Sequence, residues 1–243
     1  MTDVVSYAFE TYLSNIKLIL LFSIAFVIAF LIPLFASFPT FNDAGAILIR
    51  TSSIFLNLNI FNTAVIVVSV FFSLLFLSFA IVAINVVVRH SRTHTKIKKE
   101  VIDGLEKHTG KVFAVLLFWL VVVILTNVLS FGTRYSAVVT AVAGLLLTPI
   151  TFYAPASIVI DENRIDRAMR ASFKFFFERF DYFVLWIVMA IVLITVFDFL
   201  FVTLTSTIHS RYYMLFFNSL FILPFLVVLQ SEFYMKRFKL LKR

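Results

Sequence analysis

Six long apolar segments divide this chain, and its basic residues fall almost entirely in alternate gaps between them. The segments read as about Ile16–Ala36, Ile60–Val88, Lys111–Ser130, Ala137–Ile160, Tyr182–Thr205 and Tyr212–Met235. A run of about 20 apolar residues covers a hydrocarbon layer about 30 Å thick when helical. Of the 21 Lys and Arg, only Arg50, Arg134 and Arg211 fall in the gaps facing away from the N-terminus. Basic residues accumulate on the cytoplasmic side of spanning segments. The expected architecture is therefore an all-α polytopic membrane protein, a single integral membrane domain over residues 1–243. Both termini are expected in the cytoplasm, most simply at the plasma membrane.

Charge position also decides what the net charge of +8 means. The cations sit within a few residues of span ends, where anionic headgroups are the nearest partners. This favours membrane lipids over nucleic acid. With 62% hydrophobic residues, the spans leave no room for a separate catalytic domain. The chain has no Cys, which removes disulfides, thiolate metal sites and cysteine nucleophiles. The segment Gly104 to Gly110-Lys111 misses phosphate-loop spacing and has Val112 where Ser or Thr is needed. His90 and His94 are spaced for one helix face, but Arg89, Arg92 and Lys96 would repel a metal ion. No nucleophile–base pair can be named, so neither an enzyme nor a cofactor is expected.

The gaps predicted to be cytoplasmic each hold a candidate amphipathic helix lying in the interface. The clearest is Arg164–Phe180. At about 100° per residue, Ile165, Ala168, Met169, Ser172, Phe173, Phe176, Phe177 and Phe180 share one half, and Arg164, Arg167, Arg170, Lys174 and Glu178 the other. Asp161 or Asn163 is placed to cap its start. Arg167, Arg170, Lys174, Phe173 and Phe176 form the candidate surface for lipid headgroups or a partner, including a larger membrane complex. Weaker candidates are Thr95–His108, where Gly104 lowers helix propensity, and the N-terminal stretch, where Val5, Phe9, Tyr12 and Ile16 line up. The opposite gap, Ser37–Asn59, reads as a short interfacial helix or cap. Prolines 149, 155 and 224 predict kinks whose freed carbonyls need neighbouring helices. Tyr182 and Trp186 fit an aromatic belt at one interface, Tyr212 and Tyr213 at the other.

The run from Pro155 through Asp161-Glu162 to Ala168-x-x-x-Ser172-Phe173 resembles one family. This is the membrane domain found with some glycerophosphodiester phosphodiesterases, and its stand-alone relatives. The resemblance implies a six-span fold with internal amphipathic helices. The phosphodiesterase barrel is missing, so it does not imply that activity.

Among intramembrane polar residues, Asp198 is the functional candidate by depth, with Asn127 and Asn218 as companions. Asn85, Asn127, Asn218 and Gln230 also suit interhelical hydrogen bonding. Glu232, beside Lys236 and Arg237, reads as an interfacial ion-pair partner. The sequence thus supports a non-enzymatic scaffold or accessory subunit, with a small transporter or lipid-handling protein with a cavity near Asp198 as the alternative. The predicted orientation has a direct test. Cysteine placed at Ser91 or Asn163 should resist an impermeant thiol reagent in intact cells, and cysteine at Asn42 should label; the reverse pattern would invert the topology.

Overall fold

A computed structural model describes residues 2–35, 40–43, 46–49, 60–93, 97–205 and 207–236. Arg50, Lys96 and the basic tail from Arg237 onward lie outside the described residues. The chain begins with α1 (Thr2–Ser14) and α2 (Ile16–Phe35), followed by strands β1 (Thr40–Asp43) and β2 (Ala46–Ile49). Then come α3 (Ile60–Thr93), α4 (Ile97–Leu129), α5 (Ser136–Thr151) and the short α6 (Ala154–Ile160). The interfacial α7 (Ile165–Glu178) precedes α8 (Phe180–Leu204). The last span is α9 (Thr207–Phe217), a π segment (Asn218–Ile222) and α10 (Leu223–Met235). Six helical stretches are long and apolar enough to cross a membrane. Among the described residues this is a six-span membrane protein, all-helical apart from one hairpin.

Three local expectations change. Ala46–Ile49 is a strand paired antiparallel with Thr40–Asp43, in register Thr40 to Ile49, not a helix. The helix expected over Thr95–His108 is fused to the third span, because nothing between Ile97 and Leu129 breaks the 33-residue α4. The N-terminal helix turns Val4, Ala8 and Tyr12 inward, whereas Phe9 is exposed. The inward set follows a strict four-residue spacing along one side of the helix.

The sixth span is the hub at the basic end, the end that carries α1, α6, α7 and the close of α10. From Ser231 to Met235 every residue of α10 is buried, with α1, α2, α3, α6 and α8 packed around it. The fifth span, α8, is peripheral and buries only Tyr182 and Ala190. Val188, Ile191, Val196 and Phe199 point outward, as lipid-facing residues should. Tyr182 belongs to the core instead of the aromatic belt: its ring stacks on Phe233 at 4.9 Å. Trp186 donates to the Leu226 carbonyl at 2.8 Å, tying α8 to α10. Tyr212 and Tyr213 remain exposed near the other end.

Both expected proline disruptions are visible. Residues Phe152 and Tyr153 interrupt the fourth span between Pro149 and Pro155. The Ser172 hydroxyl of α7 repairs the gap, accepting from the Tyr153 amide at 3.0 Å and donating to the Pro149 carbonyl at 2.9 Å. Gln230 donates to the Phe152 carbonyl from α10. In the sixth span a π turn precedes Pro224, and the Tyr12 hydroxyl reaches the Phe221 carbonyl at 3.4 Å. Such insertions keep backbone groups paired where no water is available.

α3 and α4 approach closely at Gly104. A Cβ there would stand 2.8 Å from Val86 Cγ2, so this glycine permits close helix approach and does not simply weaken α4. Gly104→Ala gains about 1 kcal/mol of helix propensity but overpacks a contact where such insertions cost about 1–3 kcal/mol. The single variant should melt below wild type, and Val86→Ala in the same chain should recover most of the loss. Equal melting of Gly104→Ala and wild type would remove close approach as the reason for the glycine.

Candidate functional site

The residues joining the fourth span to α7 organise the basic end. Asp161, Glu162 and Asn163 form a short acidic turn, and each side chain reaches a different part of the bundle. Glu162 receives Arg89 from α3 at 3.0 Å and Lys107 from α4 on its other oxygen. Arg89 also donates to the Val159 carbonyl at 2.9 Å, neutralising the negative end of α6. Asp161 accepts the Tyr234 hydroxyl of α10 at 2.6 Å. Asn163 turns back to Ser157 at 3.0 Å. One tripeptide thereby joins the second, third, fourth and sixth spans.

Because Asp161 and Asn163 are used this way, neither caps α7, whose start has no side-chain cap. Glu162 carries φ of 55°, in the left-handed region, which costs a non-glycine residue about 1–2 kcal/mol. Its two cations hold it there. They also draw its pKa down from 4.5 to about 2, through hydrogen bonds from Lys107 first and Arg89 second.

Behind this turn lies a buried polar layer. Asn85 accepts from Ser231 at 2.7 Å, joining the second and sixth spans. Glu232 is fully buried and accepts from Thr11 of α1 at 3.0 Å. The N-terminal helix, which sequence spacing makes look peripheral, is thus fastened to the hub.

α7 divides its aromatic residues. Ala168, Ser172, Phe175 and Phe176 are buried. Phe176 packs on Phe183 at 4.5 Å and so belongs to the core, not to the exposed candidate surface. Phe175 occupies the place the sequence pattern gives to Phe173. Phe173, Phe177 and Phe180 are about half exposed or more. Arg167, Arg170 and Lys174 all point outward. Arg170 pairs with Asp166 at 3.2 Å and Lys174 with Glu178 at 3.7 Å, both within α7 and largely exposed.

The intramembrane candidates are dispersed. Asn127 donates to Thr140 of α5 at 3.2 Å, joining the third and fourth spans. Asn218 is buried at the start of the π segment. α4 packs against α3, α5, α6 and α7, whereas the π segment packs against α2, α8, α9 and α10. Asp198 is partly exposed near the far end of α8. Among the described residues no cation pairs with it, Arg134 included. Nor do three or more His, Asp or Glu among those residues gather as a metal site.

No family model, curated protein or solved structure matches this chain. The likeness to the glycerophosphodiester phosphodiesterase membrane domain therefore gains nothing from these comparisons. The residues that carry it do have structural work: Pro155 ends the break, Ser172 bridges it, and Asp161 and Glu162 tie the spans together.

Glu162 yields a paired prediction. Glu162→Ala loses both ion pairs but keeps the left-handed backbone; Glu162→Gly loses the pairs and relieves the strain. Glycine should be more stable than alanine by about 1 kcal/mol, with both below wild type. A carboxylate with a depressed folded pKa contributes stability above its unfolded value, lost as pH falls through the folded one. Wild type should therefore lose stability between pH 4.5 and about 2, and Glu162→Gln should lose that part of the acid dependence. Melting curves of the four proteins from pH 7 to pH 2 check both points.

Proposed function

We propose that this protein is a non-enzymatic membrane scaffold or accessory subunit, with its basic end in the cytoplasm and α7 as its docking element. The reading rests on one observation. α7 is anchored by Ala168, Ser172, Phe175 and Phe176, yet leaves Phe173, Phe177 and Phe180 exposed beside Arg167, Arg170 and Lys174. α7 thus carries a second aromatic face beyond the one that covers the bundle. Aromatic side chains rimmed by cations suit insertion at an acidic protein or headgroup surface. The internal pairs Arg170–Asp166 and Lys174–Glu178 are too exposed to hold those cations back, at about 0.3–0.5 kcal/mol each. Plasma-membrane residence and membership of a larger membrane complex fit this reading.

The alternative, a small transporter or lipid-handling protein with a cavity near Asp198, has less to rest on, since Asn127 and Asn218 sit on elements with different neighbours.

The two faces of α7 should fail differently. Phe176→Ala empties a core position and should lower stability by about 3 kcal/mol or more. Phe173→Ser with Phe177→Ser should fold normally, as should Arg167→Gln with Arg170→Gln and Lys174→Gln. Each of these multiple variants should lose co-purifying partner protein or anionic lipid in mild detergent. The charge variant should fall furthest below wild type at low salt, by about 1 kcal/mol per charge near an anionic surface, and should depend less on salt than wild type does. Retention matching wild type at low and moderate salt would make the basic face a topology signal alone.

A further inference from the structure

Between α4 and the start of α7 lies an open groove of about 520 Å³, lined by Lys111, Arg164, Ile165, Asp166 and Met169. Its walls are chiefly apolar, from Ile165 and Met169, which also pack on the buried cluster of Val112, Val115 and Ala168. Its polar rim is cationic. Among the described residues neither Lys111 nor Arg164 has a carboxylate partner, whereas Arg89 and Lys107 nearby are both committed to Glu162. The one acid on the rim, Asp166, pairs with Arg170. Arg164, Ile165 and Asp166 are also the uncapped start of α7, where amide groups add positive potential. One turn before Lys111 on α4, His108 Nδ1 and Thr109 Oγ1 are buried without a hydrogen-bond partner among the described residues.

We propose that this groove holds one anionic phospholipid from the surrounding leaflet. Its phosphodiester would meet Lys111, Arg164 and the start of α7, and the beginning of its chains would lie along Ile165 and Met169. Charge complementarity and position choose this occupant. Lys111 opens the apolar part of the third span and α7 lies at its edge, so the rim is at headgroup depth while the floor is apolar. A soluble anion would use the rim and leave the floor empty; an apolar helix would bury two cations without partners, at a cost of several kcal/mol per ion. The proposal rests on reading the basic end as a headgroup-facing surface, but it concerns a site distinct from the exposed Phe173–Phe177 face.

Native mass spectrometry of the full chain, titrated with phosphatidylglycerol or phosphatidylcholine of matched chains, tests it. One phosphatidylglycerol should bind in clear preference to phosphatidylcholine. Lys111→Gln with Arg164→Gln should reduce that preference on the order of ten-fold, while Lys111→Arg with Arg164→Lys should keep it. Size-exclusion profiles and melting of the variants verify folding; if the Gln pair proves unfolded, Met169→Trp, which fills the floor and leaves the charges, should exclude the lipid instead. Arg167→Gln with Arg170→Gln and Lys174→Gln should leave this one lipid bound even if it lowers partner retention, which separates failure of the groove from failure of α7 docking. No preference in wild type, an unchanged preference in both groove variants, or displacement of the lipid by millimolar inorganic phosphate would each overturn the proposal.

Discussion

A helix broken by proline inside a membrane has no water to pair its freed backbone groups, and in this protein those groups are met by side chains from elsewhere. The break at Phe152 and Tyr153 is closed by Ser172 from α7 and Gln230 from α10. Unsatisfied backbone groups in hydrocarbon cost several kcal/mol each. The positions of α7 and the hub helix are therefore conditions for the fourth span to exist in this shape. Ala168, fully buried one turn before Ser172, lets α7 come close enough to reach the gap.

The acidic turn extends the same logic from the backbone to charge. Arg89, Lys107 and Tyr234 converge on consecutive residues that directly follow the repaired span. Each contact is partly exposed and individually modest. Together they fix where α7 departs, so the aromatic edge it presents and the groove beside Lys111 have set positions relative to the bundle. The strained backbone at Glu162 survives because contacts on both sides over-determine it.

The spans were legible because apolar length and charge asymmetry add up over many residues, and small errors at the ends do not alter the sum. What eluded the sequence were facts that need a second helix. Gly104 looks like a weak helix residue until Val86 stands opposite it. Periodicity groups Phe173 with Phe176, but an apolar arc facing lipid and one facing protein have the same composition, so only the fold shows that Phe175 and Phe176 go inward. Glu162 finds its cations 73 and 55 residues away, a relation that no local pattern carries. Asn85, Asn127 and Gln230 were readable as helix-joining residues, though not which helices they join.

The long α3–α4 hairpin has a mechanical side. Past the contact between Val86 and Gly104, each helix continues for about two turns, or about 10 Å. On α3 the first of those turns stays packed in the bundle, with Val87, Val88 and His90 buried. Arg89 and Lys107 lie within a turn of that contact, one on each helix, and both grip Glu162. A shift of α3 against α4 at that contact would therefore reach the acidic turn through both cations, at a residue whose backbone already sits in the left-handed region.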